Sequence, residues 1–325
     1  QLGKDILFYQ HLQFFFFRQY ARLKEYANRR GVRIFGDLPI YVAFDSVEVW
    51  SQPELFLLDP ETSSPLAVAG VPPDAFSATG QRWGNPLYRW WDEHGSPMKL
   101  LYEWWLRRFR STLHLVDLMR IDHFRGFEAY WSVPAQEETA VNGQWIKGPG
   151  AALFTAVQDA LGQLPLVAED LGIITPEVDA LRRQFGFPGM KVLQFAFDGD
   201  VHNRYLPHNY TDPHYVVYTG THDNDTTRGW FAAAAPDCRA AVLRYLGRPE
   251  SADLHWDFIR LAFSSVATLA VIPLQDVLGL GSEGRMNVPG QEKGNWGWRY
   301  LPEWLTPEAG ARLAELTHIY GRDGS

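Results

Sequence analysis

The stretch Leu115-Val116-Asp117-Leu118-Met119-Arg120-Ile121-Asp122 decides the predicted fold class. It is a short, largely apolar run that ends in a carboxylate, which is typical of a buried strand with a polar carboxyl end. Because side chains alternate between the two faces of a strand, Arg120 and Asp122 should point the same way. If that face is a cleft, Arg120 would keep Asp122 ionised and aimed, as a nucleophile requires. An ordinary salt bridge at a strand end is the alternative interpretation.

The same pattern of an apolar run followed by an acidic residue recurs along the chain. It is found at 32–37, 164–170, 190–198, 215–223 and 270–276. Helix-like segments lie between most of these runs, at 151–162, 176–185 and 252–268. Strands that alternate with helices indicate an α/β fold with a parallel sheet. Polar residues at the carboxyl ends of strands indicate a (β/α)8 TIM-type barrel with its active site at that face. An open doubly wound sheet is the competing interpretation.

The domain organisation follows from the number of these runs. Together they predict six strands, whereas a closed barrel of this type needs eight. We therefore expect residues 1–325 to form one catalytic barrel that is incomplete at its N-terminus, with the first two βα units upstream of Gln1. A long helix is predicted over 5–30, with Gly31 placed to end it. The Pro-, Trp- and Gly-rich stretch at about 44–110 is predicted to be an insertion subdomain, helical over Lys99–Phe109.

Composition excludes several classes of protein. The formal charge of -8 comes without a basic cluster, so nucleic acid is not an expected partner. Cys238 is the only cysteine, which excludes an internal disulfide and a cysteine-based zinc site. No apolar run approaches the roughly 20 residues that span a bilayer, so no membrane partner is expected. The 13 tryptophans suit stacking on sugar rings, but they equally suit a core rich in large side chains. The oligomeric state is not determined by the sequence.

A second strand end carries a candidate general acid. Glu169 follows the apolar run Leu166-Val167-Ala168. Apolar neighbours raise the pKa of a carboxyl group, which can then donate a proton near neutral pH. Asp170 follows at once, and the pattern by itself does not choose between the two acids. Either of them could instead cap the helix that follows.

A third candidate lies in the polar cluster at 218–225, directly after an apolar run. His222 and Asp223 could bind vicinal sugar hydroxyls, with His222 donating and Asp223 accepting hydrogen bonds. The cluster could equally be a turn. The chain lacks a His-x-x-x-His spacing, so no metal is expected there.

Six longer motifs give most of the chain a resemblance to a known family. They are GDLPIYV at 36–42, FSATGQRWGNP at 76–86, RIDHFRG at 120–126, AEDLG at 168–172, THDN at 221–224 and RMNVPG at 285–290. In these motifs the chain resembles the amylomaltases of glycoside hydrolase family 77, which are relatives of the α-amylases. Phe44 departs from the family pattern, which usually has a polar residue there.

The resemblance implies a cytoplasmic 4-α-glucanotransferase that acts on α-1,4-glucans without a cofactor. It implies that Asp122 is the nucleophile, that Glu169 rather than Asp170 is the general acid/base, and that Asp223 binds hydroxyls of the reacting sugar. The carboxyl carbons of Asp122 and Glu169 should then lie about 5–5.5 Å apart, as a retaining mechanism requires. Further substrate-binding residues implied are Asp37, Tyr41, Trp83, Arg120, His123, Phe197, His222 and Asn295.

Three rival functions remain at this stage. An α-glucan hydrolase could use the same three carboxylates, and a glycan-binding chain or inactive fragment could share the aromatic content. An unrelated barrel enzyme with an acyl or phosphate substrate is the third rival, but the chain has no Gly-Lys-Ser loop to bind phosphate. To explain transfer instead of hydrolysis, we expect aromatic side chains to bind the acceptor glucan and exclude water. The residues expected to do so are Trp83, Trp90, Trp91, Trp296 and Trp298.

Overall fold

The computed structural model describes residues 2–74, 77–250, 252–291 and 293–324. Phe76, the first residue of the motif at 76–86, lies outside the described residues. The chain divides into two compact units, which we call unit 1 (Gln1–Pro188) and unit 2 (Gly189–Ser325).

Unit 1 alternates helices with strands over most of its length. Its helices are α1 (Leu2–Asn28), α2 (Val47–Ser51), α3 (Lys99–Leu115), α4 (Arg125–Glu128), α5 (Ala151–Leu161) and α6 (Pro176–Gln184). Its strands are β1 (Phe35–Leu38), β2 (Ala67–Val71), β3 (Gln81–Pro86), β4 (Leu118–Ile121), β5 (Ala129–Pro134), β6 (Gln144–Lys147) and β7 (Leu166–Ala168). The helices predicted over 5–30, 151–162 and 176–185 are confirmed, with small differences at their ends.

A parallel sheet of order β1-β4-β7 positions the candidate catalytic residues of unit 1. Its register places Asp37 opposite Arg120 and Ile121 opposite Ala168. Gly36 allows this sheet to pack closely, since a Cβ on it would lie 2.4 Å from Cγ1 of Val116. Because parallel strands end at the same edge, the residues that follow β1, β4 and β7 are brought side by side.

Large apolar side chains hold this sheet against the surrounding helices. The best-buried aromatic residues of this core are Phe56, Tyr88, Trp105, Phe109, Phe124, Phe127, Phe154 and Phe187. Trp105 packs on Phe109 and Phe127 at ring-centroid distances of 5.7 and 5.3 Å. Burial of such rings contributes much of the stability of a core, since each removes a large apolar area from water.

A second sheet of unit 1 is antiparallel, with the order β3-β2-β5-β6. Strands β2 and β3 come from the predicted insertion at 44–110, whereas β5 and β6 lie after it in the chain. Val68 of β2 pairs with Val133 of β5, so the predicted insertion is tied to residues beyond its own limits. The helix predicted over Lys99–Phe109 is confirmed as the first part of α3.

The long helix α1 is attached to unit 1 near its C-terminal end. The Lys24 ammonium donates a hydrogen bond to the carbonyl of Val116 at 2.9 Å, and the Asn28 amide donates to Asp117 at 2.8 Å. Gly31 ends this region in the left-handed conformation that glycine favours, with φ +73°. No residue of α1 is buried within the described part of the chain.

Unit 2 is built around a parallel sheet of order β10-β9-β8. Its strands are β8 (Gly189–Val192), β9 (Tyr215–Tyr218) and β10 (Leu269–Val271). Its helices are α7 (Thr227–Ala233), α8 (Pro236–Leu246), α9 (Leu254–Ser264), α10 (Leu274–Val277) and α11 (Pro307–Ile319). The strands predicted from the sequence are therefore confirmed in both units. Over the described residues, no helix is both long enough and apolar enough to cross a membrane.

Candidate active site

Two acids and one arginine meet at the carboxyl ends of β1 and β4. The Arg120 guanidinium donates two hydrogen bonds to Asp37, from Nε to Oδ1 at 2.9 Å and from Nη2 to Oδ2 at 2.8 Å. The same Nη2 lies 2.9 Å from Oδ1 of Asp122. Arg120 therefore does bridge to Asp122, two residues away, as the alternation of side chains predicted, but its two-pronged contact is with Asp37.

The position of Arg120 favours a charged Asp122. Its side chain is 12% exposed, whereas that of Asp122 is 38% exposed and accessible to a ligand. Burial by itself lowers the pKa of Arg120, but the hydrogen bonds to Asp37 and the nearby carboxylates raise it above its ordinary value. A permanently charged guanidinium beside Asp122 stabilises the carboxylate form, which is the nucleophilic form.

Glu169 occupies the equivalent position after β7 and is half-buried. Its two carboxyl oxygens accept hydrogen bonds from backbone amides, Oε2 from His123 at 2.7 Å and Oε1 from Leu171 at 2.8 Å. Burial first, and then the charge of Asp122, raise the pKa of Glu169 to about 7, against the lowering effect of these amides and of Arg120. Glu169 can therefore both donate and accept a proton near neutral pH.

Asp170 has a different environment, although the sequence pattern could not separate it from Glu169. Its side chain is 1% exposed and lies 3.5 Å from Nε of Arg182, which is equally buried. Arg182 also donates a hydrogen bond to Asp179 at 2.8 Å. Asp170 is thus paired with a buried arginine of α6, which is consistent with Glu169 as the acid exposed to substrate.

Three predicted substrate-binding residues form an aromatic cluster in unit 1. The ring of His123 lies 4.8 Å from that of Trp83 in an edge-to-face arrangement, and the ring of Tyr41 lies 6.2 Å from Trp83. Burial lowers the pKa of His123 to about 4, so the imidazole is neutral at pH 7. Its Nε2 is buried and makes no hydrogen bond to the protein.

Gly126 permits this cluster to form. A Cβ at this position would lie 2.7 Å from Cδ1 of Ile40 and 2.9 Å from Cδ2 of His123, and 3.5 Å from the hydroxyl of Tyr41. Any side chain larger than hydrogen would displace the His123 ring. The glycine of the RIDHFRG motif is therefore explained by close packing, since its φ is not in the left-handed region.

In unit 2, Asp223 and His222 follow β9 and are held by a separate set of contacts. Nε2 of His222 lies 3.5 Å from Oδ2 of Asp223, and the ring of Trp296 lies 5.4 Å from that of His222. The Asn287 amide donates a hydrogen bond to Oδ1 of Asp223 at 2.6 Å. The side chain of Asp223 is 46% exposed and can accept further hydrogen bonds. Sequence reasoning gave Asn287 no role, although it lies within the RMNVPG motif.

Two predicted substrate-binding residues of unit 2 have contacts within the protein that occupy them. Asn295 accepts a hydrogen bond from the amide of Val288 at 2.9 Å and donates to the carbonyl of Gln291 at 2.8 Å. Phe197 is 6% exposed, and its ring lies 5.7 Å from that of Phe258. A glucan contact by Asn295 or Phe197 stays a prediction.

The tryptophans expected to bind acceptor glucan differ in their exposure. Trp83, Trp91 and Trp296 are 37%, 38% and 52% exposed. Trp298 is half-buried. The expectation for Trp90 is wrong, because its ring is 2% exposed and stacks on Trp105 inside the core of unit 1.

Within the described residues, no group of three or more potential metal ligands is found.

Comparisons with known proteins identify the family of the chain. A sequence model of the 4-alpha-glucanotransferase family, glycoside hydrolase family 77, matches residues 1–305. A 4-alpha-glucanotransferase from Synechocystis is 56% identical over 99% of the chain, and one from Thermus thermophilus is 55% identical over 99%. The chain spans about 63% of the first relative and 64% of the second.

A solved structure supports the fold class. The amylomaltase from Streptococcus agalactiae in complex with acarbose matches with a TM-score of 0.89 and 42% sequence identity, over 95% of this chain and 62% of that chain. The predicted fold class, an α/β protein of the TIM-barrel type, is confirmed by this match. The two βα units expected upstream of Gln1 stay a prediction.

Proposed function

The chain belongs to glycoside hydrolase family 77, the 4-alpha-glucanotransferases, and on that premise we propose that it carries the catalytic residues of a retaining 4-α-glucanotransferase. The enzyme would transfer a segment of an α-1,4-glucan to the 4-hydroxyl of an acceptor glucan or glucose. The observation that carries the proposal is the contrast between two neighbouring carboxyl groups. Asp122 lies against a guanidinium, whereas the pKa of Glu169 is raised to about 7.

This contrast fits the first chemical step. Protonated Glu169 gives its proton to the glycosidic oxygen, while a carboxylate oxygen of Asp122 attacks the anomeric carbon. The bond from that carbon to the glycosidic oxygen breaks, and the part of the donor with the reducing end leaves as an alcohol. The other part stays bound to Asp122 as a glycosyl ester. Glu169 is left as a carboxylate.

The second step reverses these roles. The Glu169 carboxylate takes the proton of the acceptor 4-hydroxyl, whose oxygen attacks the anomeric carbon. The ester bond to Asp122 breaks, and the aspartate is regenerated. A pKa of about 7 lets Glu169 serve as acid and then as base within one cycle.

The remaining site residues have supporting roles in the proposal. Arg120 orients the nucleophile and balances its negative charge, and Asp37 holds the Arg120 guanidinium in place. By family resemblance, Asp223 accepts hydrogen bonds from sugar hydroxyls in the transition state, and His222 donates them. Tyr41 and neutral His123 contribute polar and aromatic contacts to glucan. Exposed Trp83 offers a ring on which an acceptor sugar can stack, which would favour transfer over attack by water.

Incubation with maltotriose tests the proposed activity. Transfer produces glucose together with longer oligosaccharides, whereas hydrolysis produces only shorter sugars. Asp122→Asn should lower turnover by roughly 10³-fold or more, since the amide is a poor nucleophile. Asp198→Asn is the matched control. Asp198 also follows an apolar run in the sequence, but its side chain is exposed and accepts a hydrogen bond from the nearby amide of Asp200. Equal turnover by the Asp122→Asn variant and the unaltered chain would refute the proposal.

Trp83→Ala separates transfer from hydrolysis. If Trp83 binds the acceptor, its loss should raise the ratio of hydrolysis to transfer on maltotriose. Trp50→Ala is the control, because Trp50 is 82% exposed and has no place in the proposed site. An unchanged ratio in the Trp83 variant would remove this residue from the mechanism.

A further inference from the structure

Two residues that follow α10 in unit 2, Arg285 and Asn287, hold Asp223 at its backbone and its side chain. Nη2 of Arg285 donates a hydrogen bond to the carbonyl of Asp223 at 2.8 Å. The Asn287 amide donates to Oδ1 of the same residue at 2.6 Å. Arg285 also ties the two contacts together, since its Nε donates to the carbonyl of Asn287 at 2.9 Å. We call Arg285 and Asn287 the Asp223 bracket.

The segment that carries the bracket is held in place by hydrogen bonds between its own residues. The amide of Trp296 donates to the carbonyl of Met286 at 2.7 Å, next to both bracket residues. The Asn295 side chain accepts from the amide of Val288 at 2.9 Å. Both contacts fix the backbone of 286–288, so Asn287 is presented in one place. A donor held in this way can select one rotamer of Asp223.

We propose that Asn287 is a positioning residue, which fixes the Asp223 carboxylate so that Oδ2 and the open side of Oδ1 are left to bind sugar hydroxyls. Arg285 holds the backbone on which that carboxylate is mounted. The inference rests on the proposed function, because it assigns Asp223 to the stabilisation of the transition state. A carboxylate that is 46% exposed would otherwise sample several rotamers.

The charged groups around Asp223 limit how the bracket can act. Among the described residues, His222 faces Oδ2 at 3.5 Å and Arg285 contacts the backbone carbonyl. The carboxylate of Asp225, two residues along, accepts from the hydroxyl of Ser282 at 2.6 Å and from the amide of Thr226 at 2.7 Å. Among the described residues, Asn287 is therefore the side chain that donates a hydrogen bond to Oδ1.

Two substitutions of Asn287 test the proposal. Asn287→Ala removes the donor, and kcat for maltotriose transfer should fall by about 10- to 100-fold with KM changed much less. Asn287→Asp puts a second carboxylate in contact with the first, and such a pair binds one proton at higher pH than a single acid. The acid limb of the kcat profile should therefore move to higher pH in this variant. Neither change should lower the unfolding temperature greatly, since the contact is at a partly exposed site.

The same pair of substitutions at Asn142 provides the control. Asn142 donates to Oε2 of Glu137 at 2.9 Å on an exposed loop of unit 1, so it reproduces the amide–carboxylate contact outside the proposed site. Its variants should keep both kcat and the pH profile. Full kcat in Asn287→Ala, or an unmoved acid limb in Asn287→Asp, would overturn the positioning role.

Failure of the proposed function gives a distinct result. In that case the unaltered chain would form no oligosaccharide longer than maltotriose. The side-chain carboxyl of Asp223, followed by ¹³C NMR in the unaltered chain and in Asn287→Asp, then tests the bracket without activity. A titration midpoint that is the same in both would refute the contact itself.

Discussion

Replacing Glu169 by glutamine should change how the stability of this protein depends on pH. Glu169 is half-buried, and its pKa is about 7 in the folded chain against an ordinary value of 4.5. Because the folded-state pKa is raised, the stability linked to this proton is fully present below pH 4.5 and is lost as the pH rises through 7. Glutamine does not titrate, so the variant should lack this loss.

The magnitude follows from the two pKa values. One pKa unit is worth about 1.36 kcal/mol, so ionised Glu169 costs the folded state roughly 3 kcal/mol at pH well above 7. Between pH 5.5 and pH 8 this contribution should change by about 2 kcal/mol, since the free glutamate is already ionised at the lower pH. From pH 5.5 to pH 8, the free energy of unfolding of the variant should therefore rise by about 2 kcal/mol relative to that of the unaltered chain.

A constant cost accompanies the substitution. The two oxygens of Glu169 accept from the amides of His123 and Leu171, whereas glutamine offers one acceptor oxygen and an NH2 group. One amide therefore loses its partner, at about 1–3 kcal/mol. This loss does not depend on pH, so it cancels when the difference between variant and unaltered chain is compared at two pH values.

Urea unfolding at pH 5.5 and pH 8, with the same buffer ions, measures the required difference. The control is Glu177→Gln, because Glu177 is exposed at the start of α6 and backbone hydrogen bonding lowers its pKa. Its variant should show no measurable change relative to the unaltered chain over this interval, because Glu177 is ionised in both states at either pH. The reasoning is refuted if Glu169→Gln and the unaltered chain lose stability equally between the two pH values, because Glu169 would then titrate near 4.5.

Substitutions at three further positions test packing and buried polar contacts through the urea midpoint. Gly126→Ala should lower the free energy of unfolding by about 1–3 kcal/mol and reduce the transfer activity, because its Cβ would lie 2.9 Å from the His123 ring. Unchanged activity would argue against this packing. Asp276→Ala should lower the free energy of unfolding by about 1–3 kcal/mol, because the buried amide of Thr227 loses the oxygen that accepts its hydrogen bond at 2.7 Å. Asp276→Asn keeps an acceptor oxygen and should lower it less. The reverse order would contradict that account. Trp90→Ala should lower the free energy of unfolding by about 3–5 kcal/mol, since this ring is 2% exposed. A loss below 1 kcal/mol would mean that Trp90 is not part of the core.

Local patterns in the sequence were sufficient to predict the six strands of the two parallel sheets and the acids that follow them, but not the strands of the antiparallel sheet. An apolar run of four to eight residues has the length of a strand rather than of a helix, and the run before Asp122 is confirmed as β4. Strict alternation along that strand also predicted that Arg120 lies beside Asp122, which the 2.9 Å contact bears out. Such features depend on residues close in the chain, so the sequence carries them directly.

Contacts between distant residues could not be predicted in this way. Arg120 makes its two-pronged contact with Asp37, which the register of β1 and β4 brings opposite it. Glu169 and Asp170 were equivalent in the sequence, and only packing on α6 buries Asp170 against Arg182. Which side of a strand faces a cleft depends on what packs against the other side.

The sequence by itself therefore determined the α/β class, the order of the six parallel strands, and the family through its motifs. Tertiary structure decided which of these polar groups are buried, paired or open to a ligand. The raised pKa of Glu169 shows the difference, because desolvation and the charge of Asp122 both arise from neighbours brought close by folding. The amide of Asn287 reaches Asp223 for the same reason, across a separation in the chain that no local pattern spans.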